Sequence, residues 1–130
     1  MFEIDYKGYH IWAEFVGEKD ANWDNDSAYR HHKIHIKKGN EHISFDYWTS
    51  IAHPEIEDDK EVLNAVECFF TDASSGQYDF EDYCAEMGYE VPRGVIQSWK
   101  ECQSLNTKAI RMFGNNWQEF ADELRDELWA

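Results

Sequence analysis

Histidine, cysteine and carboxylate side chains are where this 130-residue chain has the means for chemistry, with six, three and 27 of them respectively. Four histidines are close in sequence: His31, His32 and His35, with His42 seven residues further on. In an extended segment His31 and His35 point to one side and His32 to the other. A structural or catalytic zinc centre is built from three or four converging protein ligands, and no second Cys, His or Asp set at ligand spacing completes one here. These histidines are therefore expected to be structural or solvent-facing, with no metal. A diagonal contact between His35 and Asp46 would make a pH-sensitive pair. Cys68, Cys84 and Cys102 are odd in number, far apart and set in apolar helical patterns, as reduced core thiols are, rather than a disulfide framework or zinc knuckle. Paired carboxylates have the residue type for acid–base work. No phosphate-binding glycine loop, G-x-S-x-G elbow, H-E-x-x-H helix or C-x-x-C pair accompanies them. The expectation is a non-enzyme with no catalytic residue and no cofactor.

The carboxylates have a second use, through their distribution. The chain carries 27 acids against 12 bases, net −15. Residues 1–54 hold nine acids and six bases, residues 55–90 twelve acids and the single base Lys60, and residues 91–130 six acids and five bases. A charge of this sign repels phosphate, which argues against direct binding to nucleic acid or to an anionic membrane. No run approaches the roughly 18 apolar residues of a membrane helix. The opening Met1-Phe2-Glu3-Ile4-Asp5 lacks the basic-then-apolar order of a signal peptide, so the expected compartment is the cytoplasm. Regularly spaced carboxylates on helices can imitate the phosphates of a duplex and compete for a basic groove, with fast and salt-sensitive association. On this reading Asp58, Asp59, Glu61, Asp72, Asp79, Glu81, Asp82, Glu86 and Glu90 are the candidate partner-binding residues, facing a basic protein surface. Trp12, Trp23 and Trp48 would add apolar anchors.

The elements that must position these groups are legible from periodicity. Phe2, Ile4 and Tyr6 alternate with polar residues, and the alternation resumes at Tyr9, Ile11, Ala13 and Phe15. A two-residue turn at Lys7-Gly8 pairs Ile4 with Ile11 and Tyr6 with Tyr9. Residues 17–30 are polar and aperiodic, and a loop is expected there. Gly39-Asn40 then closes a second hairpin that pairs Ile36 with Ile43, Ile34 with Phe45 and His32 with Tyr47. Its other face sets Lys37 opposite His42, His35 opposite Ser44, Lys33 opposite Asp46 and His31 opposite Trp48. After His53-Pro54, residues 57–70 form a helix with acids in its first turn and Val62, Leu63, Val66, Phe69 and Phe70 on one side. A loop is expected at 71–76 and a short helix at 79–87, striped by Phe80, Tyr83, Cys84 and Met87 and closed by Gly88. A long helix follows from about Arg93 to Phe113. Its expected buried side is Val95, Ile96, Trp99, Cys102, Leu105, Ala109 and Met112, and Gly114 stops it. Asn116 with Glu119 matches a capping box, opening a last helix with Trp117, Phe120, Ala121, Leu124 and Leu128 on one side. The fold class is α+β: a four-stranded antiparallel sheet of two hairpins, covered by three to four C-terminal helices, in a single domain over 1–130. Trp129 is a candidate unburied anchor.

The segment Asp79-Phe80-Glu81-Asp82-Tyr83-Cys84-Ala85-Glu86-Met87-Gly88-Tyr89, followed by Trp99-Lys100-Glu101-Cys102 and ending at Met112-Phe113-Gly114, resembles a D-F-x-x-F/Y-C-x-x-x-G-Y pattern in small phage and prophage proteins. Phe45-Asp46-Tyr47-Trp48 looks similar too, so the likeness runs from about residue 30 onward. Glu90-Val91-Pro92-Arg93-Gly94 departs from the Asp-Ser-Arg-like continuation of those proteins. Small acidic phage proteins include anti-CRISPR and anti-restriction inhibitors. The resemblance therefore implies a counter-defence inhibitor, acting in the host cytoplasm on a nucleic-acid-binding defence complex. The alternative is an immunity or antitoxin-like protein that neutralises a toxin by binding it.

Overall fold

The computed structural model describes residues 2–20, 28–50, 56, 58–87 and 95–129. Strands β1 (Phe2–Tyr6), β2 (Tyr9–Asp20), β3 (Ala28–Lys38) and β4 (Glu41–Ser50) precede helices α1 (Asp59–Ser75), α2 (Phe80–Met87), α3 (Val95–Phe113) and α4 (Trp117–Leu128). This is the α+β arrangement expected. Contacts divide the chain into two units, residues 1–66 and 67–130.

The first unit holds the sheet, in the order β1-β2-β3-β4 with every neighbouring pair antiparallel. The β1–β2 hairpin closes at Lys7-Gly8, both residues with positive φ (50° and 87°), as a type I′ turn demands. Ile4 pairs with Ile11 and Tyr6 with Tyr9, the register that the alternation dictates. Gly39 (φ 60°) opens the second turn, and all seven cross-strand pairs expected for β3 and β4 are present. Ile11, Ala13, Ile34, Ile36, Ile43 and Phe45 are buried on one face. Each large aliphatic side chain there contributes about 1.5–3 kcal/mol relative to exposure. Tyr9, Ile56, Val62, Ala65 and Val66 complete the buried apolar set among the described residues of this unit.

The strands run further than their apolar pattern. β2 continues to Asp20 and β3 begins at Ala28, so much of the expected 17–30 loop is sheet. A bulge between Phe15 and Gly17 shifts the register, after which Glu18 pairs with Arg30 and Asp20 with Ala28. Backbone pairing sustains this extension where side chains show no alternation. Trp23 lies outside the described residues.

The second unit is helical and packs around aromatic rings. Phe70 stacks on Trp117 (5.6 Å, 12°) and meets Phe113 and Phe120 edge-on. Helix α1 does not stop at Phe70: it continues through Thr71 to Ser75, which corrects the expected loop. Thr71 tolerates the helix because its hydroxyl donates to the Glu67 carbonyl and carboxylate (3.2 and 3.0 Å), and Ala73 is fully buried. Gly114 (φ 87°) ends α3, its N–H donating to the Ile110 carbonyl at 2.8 Å. Ile96, expected inside, is exposed, as is Cys68, while Ala109 and Met112 are buried as expected. Asn116 makes no side-chain cap bond. At φ −96° and ψ 26° it belongs to a tight turn from Gly114, and Glu119 N–H reaches its backbone carbonyl instead (3.0 Å). Trp117, Ala121, Leu124 and Leu128 form the buried side of α4, and Trp129 is 68% exposed.

Candidate functional site

The candidate acidic residues divide into helix caps and exposed charges. Asp58 precedes α1 and accepts the Glu61 N–H at 2.8 Å; Asp79 precedes α2 and accepts the Asp82 N–H at 2.8 Å. Both satisfy donors that a helix start leaves unbonded. The capping pattern was present in the sequence as Asp58-x-x-Glu61. Asp59, Glu81 and Asp82 are exposed in the first turns of the same helices, where the helix dipole favours them. Glu61 is half-buried. Asp72 is exposed toward the end of α1 rather than at a helix start; partial desolvation and then the Glu67 charge push its pKa up. Glu86 lies in α2 with its side chain outside the described set, and Glu90 lies outside the described residues. Asp58, Asp59 and Glu61 belong to the first unit, and Asp72, Asp79, Glu81 and Asp82 to the second.

Within the Asp79–Tyr89 motif, Phe80, Tyr83 and Cys84 have packing partners. Tyr83 and Cys84 are buried against Phe80 and Trp99. Trp99 meets Phe80 edge-on at 5.3 Å, and its indole N–H donates to the Tyr78 carbonyl at 2.9 Å. This latch joins the start of α2 to α3.

A second group of polar side chains lies on the outer face of the sheet, and sequence reasoning saw it only in part. His35 sits on the outer side of β3 with its ring stacked on Trp12 of β2 (4.8 Å, 6°). The expected His35–Asp46 contact does not form. Asp46 accepts from His31 Nε2 (2.8 Å), whereas His35 Nε2 reaches Glu14 Oε1 (2.8 Å) and its Nδ1 lies 2.9 Å from His42 Nε2. The diagonal geometry favours His31 because its ring lies flat on Trp48, at 4.1 Å and 8°. His10, on β2, binds Asp5 (2.9 Å) and Glu3 (3.2 Å), and these bonds, led by that to Asp5, raise its pKa. His32 points inward as expected, buried, with Nε2 3.1 Å from Thr49 Oγ1. Knowledge that Trp12 and Glu14 of β2 flank His35 across the β2–β3 pairing would have predicted the cluster. Only the hairpin pairings were legible.

Trp48 is exposed and Trp12 half-buried. Among the described residues no group of three or more His, Cys, Asp or Glu side chains is arranged to hold a metal ion. Partial desolvation, reinforced by the carboxylates Glu67 and Asp72, pushes the pKa of the Cys68 thiol up although the residue is exposed; desolvation and Asp72 do the same for the half-buried Cys102. Neither is set up as a thiolate nucleophile. No described helix is long and apolar enough to cross a membrane. Comparisons of the chain with protein-family models, with curated proteins and with solved structures found no match.

Proposed function

We propose that this chain is a non-catalytic binding protein that occupies the basic surface of a nucleic-acid-handling protein, using its helix-borne carboxylates in place of phosphates. The observation that carries this reading is the exposure of Asp59, Glu81 and Asp82 at helix starts within a 36-residue stretch of twelve acids and one base. Cap formation accounts for Asp58 and Asp79 but not for these three. Like-signed charge held on helices raises association rates toward an oppositely charged groove, and salt weakens the effect. The choice of a host defence nucleoprotein or nuclease as target, and hence of a phage-type anti-CRISPR or anti-restriction inhibitor, rests on the resemblance of the Asp79–Tyr89 segment.

The test is inhibition of DNA cleavage by a panel of purified RNA-guided and restriction nucleases, with sodium chloride varied. Wild type is expected to inhibit at least one of them, less strongly as salt rises. The variants Asp59→Lys and Glu81→Lys/Asp82→Lys, made separately because they lie in different units, spare both caps. At least one should weaken inhibition by about tenfold or more while keeping the wild-type circular dichroism spectrum. Inhibition unchanged in both, or absent across the panel, defeats the proposal.

A further inference from the structure

Two imidazole nitrogens facing each other across adjacent strands, one of them already fixed by a carboxylate, are the beginnings of a cation site. On the outer face of the sheet His35 Nδ1 and His42 Nε2 are 2.9 Å apart. Behind them Glu14 Oε1 lies 2.8 Å from His35 Nε2. An ionised carboxylate only accepts hydrogen bonds, so the Nε2 of His35 carries a proton and the Nδ1 of the neutral ring is a lone pair aimed at His42. Trp12 holds the plane of that ring by stacking at 4.8 Å and 6°, and lies 5.3 Å from the His42 ring. Carboxylate, histidine and metal in this order is the usual outer-sphere arrangement of imidazole ligands.

We propose that His35 and His42 chelate a divalent transition cation of the zinc or copper class, with Glu14 as a positioning residue behind His35. This proposal is independent of the acidic-helix reading and uses none of its residues. Zinc–imidazole distances of about 2.0–2.1 Å at a tetrahedral angle separate the two nitrogens by about 3.3 Å. The present 2.9 Å spacing therefore has to open by less than half an ångström. His42 must place its proton on Nδ1 so that Nε2 becomes a ligand, so two neutral rings accept the cation without net loss of a proton. With two protein ligands, water fills the remaining positions. Imidazole pairs suit zinc, copper and nickel and disfavour magnesium and calcium, which want oxygen. His31 is the internal control. It has a carboxylate, Asp46 at 2.8 Å, and a stacked indole, Trp48 at 4.1 Å, but no second histidine nitrogen bonded to it among the described residues.

The experiment uses the full chain without a histidine tag, titrated with zinc chloride at pH 7.5. Heat of binding is measured by calorimetry, and the ring resonances of each histidine are followed by NMR. Saturable binding of one cation per chain that moves the His35 and His42 resonances together is expected. His35→Ala and His42→Ala should each abolish that binding, Glu14→Gln should weaken it by about tenfold, and His31→Ala should leave it unchanged. Circular dichroism confirms folding of each variant. The absence of saturable zinc binding, or its survival in His42→Ala, overturns the proposal. Magnesium chloride that moves the same resonances with the same affinity also overturns it.

Discussion

Replacing Gly76 with alanine gives the sharpest test of how the helical unit is packed. Gly76 follows directly on α1, is buried, and donates its N–H to the Ala73 carbonyl at 3.0 Å. A Cβ built there would lie 2.0 Å from the Cys102 carbonyl oxygen, 2.4 Å from its carbon and 2.7 Å from Gln103 N. All three are backbone atoms in the middle of α3, so no side-chain rotation relieves the clash, and the helix would have to retreat by more than an ångström. Cys102 is one turn beyond Trp99, whose bond to the Tyr78 carbonyl is 2.9 Å, so the same retreat strains the α2 latch. Overpacking costs about 1–3 kcal/mol and the weakened Trp99–Tyr78 hydrogen bond up to about 1 kcal/mol. The stiffer unfolded chain returns about 0.4–1 kcal/mol. The net loss is about 1–3.5 kcal/mol, a fall in Tm of about 4–15 °C for a chain of this size. Thermal unfolding followed by circular dichroism measures it. Gly17→Ala is the control, since it stiffens the unfolded chain equally and its Cβ meets nothing within 4 Å. A Gly76→Ala protein as stable as wild type would show that α1 and α3 do not meet there.

Arg125 of α4 places Nε and Nη2 each 3.0 Å from Glu67 Oε1, and Glu67 is only 16% exposed; Arg125→Ala is expected to cost about 1–2 kcal/mol in urea denaturation, and a change near zero would mean that water replaces the pair. His10 has its pKa raised by Asp5 foremost, so it stabilises the fold below its unfolded value of about 6.5, and the contribution fades as pH rises through the folded value. NMR titration should place its midpoint above that of a free histidine and show a fall in Asp5→Asn; an unchanged midpoint in that variant would contradict the assignment. Asp72, whose pKa is raised by partial desolvation and then by Glu67, is less stable charged in the fold than in the unfolded chain. Asp72→Asn should therefore raise stability at pH 7 by a few tenths of a kcal/mol, the scale of a screened pair. The gain should shrink as pH falls through the folded Asp72 pKa, and a loss of stability at pH 7 would reverse the sign of this account.

Both hairpins were legible because two local signals agreed in each: an alternation of period two and a turn pair able to take positive φ. Lys7-Gly8 and Gly39-Asn40 left only one register that buries the isoleucines. The paired segment beyond Phe15 had neither signal, since Gly17, Glu18, Lys19 and Asp20 show no apolar face and the Phe15–Gly17 bulge breaks the period. The extension of α1 through Thr71 was illegible for a related reason: Thr, Asp and Ser favour turns when read alone. It takes the i−4 bond to Glu67 and the burial of Ala73 to keep that segment helical. The close approach of Gly76 to α3 left no mark in the sequence, because a glycine at a helix end serves as well for a simple stop.

The same contrast separates the two candidate surfaces. Acidity is additive along a chain, so a count over residues 55–90 finds the charged stretch, although not which acids serve as caps. A side-chain cluster on a sheet depends instead on partners from strands distant in sequence and on ring orientation. His35 meets Glu14, 21 residues before it, and His42, seven after it. Pairing across β3 and β4 alone placed His35 opposite Ser44 and suggested Asp46 as its diagonal partner. Adding β2 brings in Trp12 as the stacking surface for His35. Stacking sets the ring plane, the plane decides which neighbours its two nitrogens can reach, and those turn out to be Glu14 and His42 in place of Asp46. The third strand thus changes an expected acid–histidine pair into a carboxylate–histidine–histidine chain, and only the second arrangement brings two nitrogen ligands together.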